Sequence, residues 1–281
     1  MAEFTAADVA ALRKATGAGM MDCKRALDET GGDLETAKEW LRKQGLAGAS
    51  KREGRAADQG AVDVLVEDGV GAIVELNSET DFVAKSADFK EAVARLVRLA
   101  VEQGKAELAE LAFEGGTVGE HVAQLGAKVG ENVGLGRVVV FETTDGLLDG
   151  YKHVQSERGT IGVLVELSGV DPGDAEAREV AHDIALHVAS AAPRYVSRDD
   201  VPDDVVERER GVLEELTRNE GKPEQAITKI VEGRLNRFFK DTVLLEQDFV
   251  REPKTSVSKL LAGLGPDATV RRFARVKIGE D

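Results

Sequence analysis

Aromatic side chains are scarce in this chain: nine Phe, two Tyr and one Trp among 281 residues. Its core must therefore be built from Val, Leu, Ile and Ala, and a hydrophobic content of 42% is enough for one. Cysteine is nearly absent. Cys23 stands alone, which excludes an internal disulfide and a cysteine zinc cluster. No apolar run approaches the roughly 18 residues of a membrane span. Met1-Ala2-Glu3-Phe4-Thr5 has neither the basic region nor the apolar stretch of a secretion signal. These absences predict a cytoplasmic protein without a membrane partner.

The machinery of small-molecule chemistry is missing too. There is no G-x-x-x-x-G-K-[ST] phosphate loop and no G-x-G-x-x-G after a strand. His121, His153, His182 and His187 lack metal-ligand company. His182 and His187 are five apart, whereas helical neighbours are three or four apart. No nucleophile, base and oxyanion hole assemble, which disfavours a hydrolase. The expectation is a protein without covalent catalysis, cofactor or metal.

Charge is abundant but one-sided. The net value is −15, and residues 1–60 are neutral, with ten basic and ten acidic side chains. The whole excess lies beyond residue 60 and repels phosphate backbones, so no direct nucleic-acid partner is expected.

Apolar periodicity and glycine breaks predict three helices in residues 5–45. The first, Ala6 to Thr16, carries Val9, Leu12 and Ala15 on one face. The second, about Met20 to Thr30, carries Met20, Cys23, Ala26 and Leu27. The third, capped by Asp33, presents Ala37, Trp40 and Leu41. Residues 46–60 are small and polar and read as a linker, partly helical at most.

A repeat follows. Val62–Glu67 and Gly71–Asn77 read as a hairpin, then come a helix from Ser86 to Gln103, a short helix near Val118–Leu125 and a strand at Arg137–Glu142. The same order returns as Asp149–Val154, Ile161–Leu167, Asp174–Ala191, Val257–Leu264 and Val270–Ile278. Gly71-Ala72-Ile73-Val74-Glu75-Leu76 matches Gly162-Val163-Leu164-Val165-Glu166-Leu167. Arg137–Glu142 matches Arg275–Glu280 more loosely. Each copy predicts a three-stranded, largely antiparallel sheet with helices on one face. The second copy holds an insert with Val206, Leu213 and Leu216 on one helix and Ile227, Val231, Leu235 and Phe238 on the next. Gly221-Lys222-Pro223 separates them, as in a helical hairpin. The fold class is therefore α+β, divided as a 1–45 helical module, a 46–60 linker, a 61–145 core subdomain and a 146–281 core subdomain with the hairpin at about 203–240.

Two segments stand out. In Leu12-Arg13-Lys14-Ala15-Thr16-Gly17-Ala18-Gly19-Met20-Met21-Asp22-Cys23-Lys24-Arg25-Ala26-Leu27, a double methionine follows a glycine turn. It either fills the small core or serves as an adaptable contact. In Glu75-Leu76-Asn77-Ser78-Glu79-Thr80-Asp81-Phe82-Val83-Ala84-Lys85, a polar run after a strand ends in an aromatic ring. Two readings are open: a loop capped by Ser78 or Thr80 with Phe82 tucked under the sheet, or an exposed carboxylate-and-ring wedge.

Both segments closely resemble the two signature elements of the elongation factor Ts family. The resemblance continues through Tyr151-Lys152-His153, Ile161–Val165, His187–Ser190, Gly221–Glu224 and Ile230–Arg234 to Phe249 and Val276. It implies a ubiquitin-associated-like three-helix domain, two related core subdomains and a helical hairpin. It also implies a guanine nucleotide exchange factor in translation elongation, acting on the GTPase elongation factor Tu in its GDP-bound and nucleotide-free forms. Thr80, Asp81, Phe82 and Val83 would then be the element that dislocates the partner's magnesium. Leu12, Arg13, Thr16, Met20, Met21, Lys24 and His153 would bind the partner. The assembly is left open, with a homodimer or a 2:2 complex with the GTPase among the choices. Two departures stand against the pattern. Val154–Thr160 is longer than the turn of some relatives, and the sequence stops at Asp281, so the contact of a C-terminal helical module is expected to be missing. The rival readings are a non-catalytic adaptor and an RNA-associated translation protein.

Overall fold

The computed structural model describes residues 4–52 and 54–280. Residues 1–3, Glu53 and Asp281, on which the readings of the amino terminus, linker and chain end partly rest, lie outside the described residues. The first three helices are α1 (Ala6–Thr16), α2 (Met20–Glu29) and α3 (Leu34–Arg52). Helix α1 starts in a capping box, where Thr5 Oγ1 accepts from the Asp8 amide and Asp8 accepts from the Thr5 amide at 2.7 Å. It stops at Gly17, whose φ of +69° is left-handed. Leu12, Cys23, Ala26, Leu27 and Ala37 close a small core. Ala15, expected on the apolar face of α1, is exposed, and Met20, for which the sequence leaves core filling and contact both open, is 57% exposed. The segment expected as a linker is helical as far as Arg52, and its last two residues already pair in a strand.

The first core unit runs β1 (Gln59–Glu67), β2 (Val70–Ser78), α4 (Asp81–Lys85), α5 (Ala87–Gln103), β3 (Ala112–Phe113), β4 (Gly116–Thr117), α6 (Val118–Val129) and β5 (Val133–Glu142). The second runs β6 (Leu147–Gln155), β7 (Arg158–Ser168), α7 (Ala175–Ala191), α8 (Asp203–Asn219), α9 (Glu224–Thr242), β8 (Asp248–Phe249), β9 (Glu252–Ser256), α10 (Val257–Ala262) and β10 (Thr269–Lys277). Both sheets are antiparallel, in the orders β1-β2-β5 and β10-β7-β6. The repeat goes further than the sequence pattern suggested, because each short helix follows a small hairpin, β3–β4 or β8–β9. The main hairpins turn alike. Asp68 and Gly69 have φ of 48° and 80°, and Ser156 and Glu157 have 51° and 68°. Left-handed values at both central positions suit the right-handed twist of the strands. The stretch around Ser156 thus lengthens the strands rather than the turn. Two elements break the repeat: α4 belongs only to the first unit and the α8–α9 hairpin only to the second.

One face of each sheet carries its helices. Ala72, Val74 and Leu76 of β2 pack with Phe89, Val93 and Leu96 of α5, and Val163, Val165 and Leu167 of β7 with Ala181, Ile184 and Val188 of α7. The opposite faces pack against each other through Val62, Ile73, Phe141, Leu148, Leu164 and Val276. The layers are therefore helix, sheet, sheet, helix, and the central strands are buried on both sides. Glycine allows this approach at matched places. A Cβ on Gly162 would lie 2.6 Å from Val62 Cγ1, and one on Gly71 would lie 2.9 Å from Leu164 Cδ2.

Matched glutamates are buried in this contact. Glu75 accepts from the Arg137 side chain at 3.1 Å, and Glu166 from Arg272 at 2.6 Å and Arg271 at 2.8 Å. Burial works against the Glu166 charge, but the arginine and Thr143 hydrogen bonds prevail and its pKa lies below the usual value. Register corrects the expected match of the third strands. Val138 faces Val74 and Phe273 faces Val165, so Arg137 corresponds to Arg272 and not to Arg275. Both third strands have a register shift opposite the glutamate, which the sequence pattern did not reveal.

In the inserted hairpin, Ile227, Val231 and Leu235 are buried and Phe238 is half-buried. Leu216, expected on the apolar seam, is 48% exposed. Thr217 takes the inward place, with its hydroxyl donating to the Leu213 carbonyl at 2.6 Å. Among the described residues no helix is long and apolar enough to cross a membrane.

Candidate protein interface

The turn after β2 is built from local hydrogen bonds. Thr80 is the N-cap of α4, with extended backbone (φ −124°, ψ 155°) and a side chain that accepts from the Val83 amide. Ser78 Oγ donates to the Thr80 carbonyl at 2.9 Å. Ser86 ends α4 with its amide on the Val83 carbonyl and at once caps α5. A helix of five residues has almost no stability of its own. Its anchors are Ala84, fully buried, and Val83, half-buried against the same core.

The anchored side of this turn fixes the free side. Phe82 is 82% exposed, the most open of the large apolar side chains among the described residues. Asp81 lies beside it and receives Lys85 Nζ at 2.5 Å. That hydrogen bond holds the Asp81 carboxyl below its usual pKa, and the charges of Lys85 and Arg158 act in the same direction. The turn thus offers an ionised carboxylate and a bare ring side by side, and the reading of Phe82 as tucked under the sheet is set aside.

A second group comes from a distant loop. Glu131, between α6 and β5, accepts from the Thr80 amide at 3.0 Å and from its hydroxyl at 2.6 Å. Glu79 in turn accepts from the Asn132 amide at 2.6 Å. Sequence reasoning missed Glu131, which is 51 residues from Thr80 and carries no local pattern.

The residues singled out in the N-terminal module divide by exposure. Met21 is 69% exposed, and Met20, Arg13 and Lys24 are exposed as well. The methionines therefore do not fill the core. Leu12 does, with no exposed area, so its side chain is not offered to a partner. Thr16 is half-buried, its hydroxyl donating to the Leu12 carbonyl at 2.7 Å. The module itself rests on α6, where a Cβ on Gly45 would meet Ala127 Cβ at 3.2 Å.

His153 lies on β6, an edge strand, and is exposed. Its Nδ1 is 3.1 Å from Tyr151 Oη, and the Tyr151 ring meets His182 edge to face at 6.0 Å. His182 Nδ1 is 2.9 Å from Asp149 Oδ2. Near it the β6–β7 tip is tied to the first unit. Arg158 donates to the Gly60 carbonyl and to Gln59 Oε1, and Lys152 to Asp63 at 2.6 Å. Among the described residues no cluster of His, Cys, Asp and Glu could hold a metal.

These surfaces suit contact with another macromolecule, and comparison with known proteins points the same way. A family model described as elongation factor TS matches residues 79–280. The elongation factor Ts of Micrococcus luteus is 47% identical over 99% of this chain and all of its own length. That of Mycobacterium avium is 48% identical over the full length of both chains, and that of Streptomyces avermitilis 47% over 99% of this chain. With a family model covering most of the sequence and full-length relatives near half identity, the chain belongs to the elongation factor Ts family of translation elongation factors.

Proposed function

We propose that the chain is a guanine nucleotide exchange factor: it binds elongation factor Tu carrying GDP, promotes release of that GDP, and leaves when GTP enters. The observation that supports this best is Phe82, 82% exposed on a short helix whose other face is anchored. An exposed ring beside an ionised carboxylate has no role in holding this fold together. It suits insertion into a pocket of a GTPase near its magnesium and phosphate site.

The mechanism needs no covalent step, cofactor or metal on this chain. Magnesium requires near-ideal octahedral geometry, so moving its ligands slightly weakens it. Exchange factor and GDP then oppose each other's binding by the same factor. Each tenfold acceleration of release requires about 1.4 kcal/mol, so a thousandfold effect requires about 4 kcal/mol. Docking of several surfaces together supplies this. Met20, Met21, Arg13 and Lys24 would grip the GTPase, and His153 would contact a second part of it. Leu12 and Thr16 would act by shaping the α1–α2 turn.

The test is release of fluorescent GDP from purified elongation factor Tu with increasing amounts of this chain. A concentration-dependent acceleration is expected. Release that stays at the spontaneous rate with micromolar chain present would refute the reading.

A further inference from the structure

We propose that Glu131 is a positioning residue for exchange, holding the Thr80 turn so that Asp81 and Phe82 project in one direction; this rests on the exchange reading above. The geometry carries it. The Glu131 carboxylate takes both hydrogen-bonding groups of Thr80 at once, the amide at 3.0 Å and the hydroxyl at 2.6 Å. The same hydroxyl accepts from the Val83 amide at 3.4 Å, a long bond for the only side-chain cap of α4. Val83 and Ala84 anchor the underside of this five-residue helix, but without Glu131 its Thr80 end would keep only that long cap and the Ser78 hydroxyl on the Thr80 carbonyl.

The loop that carries Glu131 is held by the turn it holds. Glu79, one residue before Thr80, accepts from the amide of Asn132, one residue after Glu131. The two carboxylates thus cross, each gripping the backbone next to the other. Arg55 extends this clasp. Its guanidinium donates to Glu79 at 3.3 Å, and its carbonyl accepts from Asn132 Nδ2 at 2.8 Å. Arg55 follows closely on α3, so the chain leaving the helical module is tied to the base of the projecting turn.

Bond geometry predicts an unusual order of substitutions. Glu131→Gln keeps the reach: its Oε1 accepts from the Thr80 amide, and its Nε2 donates to Thr80 Oγ1. Glu131→Asp keeps the charge but is one methylene shorter and loses the two-point grip. Glu131→Ala loses both.

The full chain and these three variants are compared in GDP release from elongation factor Tu, alongside amide hydrogen exchange of Thr80 in the free protein. The Ala and Asp variants are expected to lose about tenfold in maximal release rate, with half-saturating concentration changed less than about threefold. Their Thr80 amide is expected to exchange faster, and the Gln variant to retain at least about half of the maximal rate. Ala and Gln variants at the full rate, or Asp restoring release where Gln fails, would overturn the positioning role. Should the Ala variant prove unstable, the Gln and Asp pair decides. Failure of the unmodified chain to release GDP overturns the exchange reading itself and is distinguishable from failure in the variants alone.

Discussion

Arg137 and Arg272 make the same pair of bonds in opposite directions. Each guanidinium holds the buried glutamate of its own sheet, Glu75 or Glu166. Each then reaches across the sheet contact to a carbonyl at the end of the other sheet, Arg137 to Lys277 and Arg272 to Glu142, both at 2.8 Å. The residues correspond by register, and so do the carbonyls they reach. Arg272 also lies over the Phe141 ring at 4.2 Å.

This relationship predicts the outcome of Arg272→Ala. Removing one partner of a buried pair leaves the other charge uncompensated, at about 3–5 kcal/mol. Arg272 is itself partly exposed and Arg271 still reaches Glu166, so about 2 kcal/mol is expected. Denaturant unfolding should show the loss, and it should shrink when Glu166 is replaced by Gln in the same chain. Equal losses in both backgrounds would rule out coupling through Glu166.

Phe82 and Phe89 form a natural pair for comparison. Phe89 is fully buried, and Phe89→Ala should cost about 3–5 kcal/mol of stability. Phe82→Ala removes exposed area, so the melting temperature should move by no more than a degree or two. GDP release from elongation factor Tu should fall at least tenfold in the Phe82 variant while binding remains detectable. A Phe82→Ala protein that melts many degrees lower, yet exchanges normally in the cold, would refute the wedge.

The helical module should influence affinity more than rate. Met20 and Met21 are both exposed, and replacing both by Ser should leave folding intact. The concentration for half-maximal exchange should rise several-fold with the maximal rate unchanged. A lower maximal rate at unchanged affinity would reverse that assignment.

Much of the architecture was legible because it is written locally. Glycine turns, Asp33 as a cap that accepts from the Thr36 amide, and the Gly71 and Gly162 segments all announce themselves within a few residues. What escaped is written between distant segments. Glu131 meets Thr80 across 51 positions, and only the strand pairing shows that Arg137 matches Arg272, three residues before Arg275. Exposure also escaped at Ala15 and Leu216. Each occupies an apolar helical position, but the neighbouring helix leaves it uncovered. Exposure of Phe82 could not be read from spacing at all, since a ring after a polar run suits either side of a turn.

Stability should fall on mild acidification. His187 is buried, with Nε2 at 2.8 Å from Gln247 Oε1 and Nδ1 accepting from the Val250 amide. Burial pushes its pKa down, as it does that of His121. The folded state then resists a proton that the unfolded chain accepts near pH 6.5. The contribution is complete above that pH and is lost as pH falls from there towards the folded pKa. Melting temperatures between pH 7.5 and 5 should drop, and His187→Gln should flatten part of the slope. An unchanged slope would remove His187 as a source.

The reciprocal arginine bonds have a consequence for assembly. A contact in which the same surfaces meet in both directions is isologous, the geometry of a symmetric dimer. Here both halves belong to one chain, joined by residues 143–146 between β5 and β6. A linked pair meets at an effective concentration set by its connection, on the order of millimolar for short flexible linkers. The sheet-to-sheet contact therefore does not come apart on dilution, as that of two separate units would.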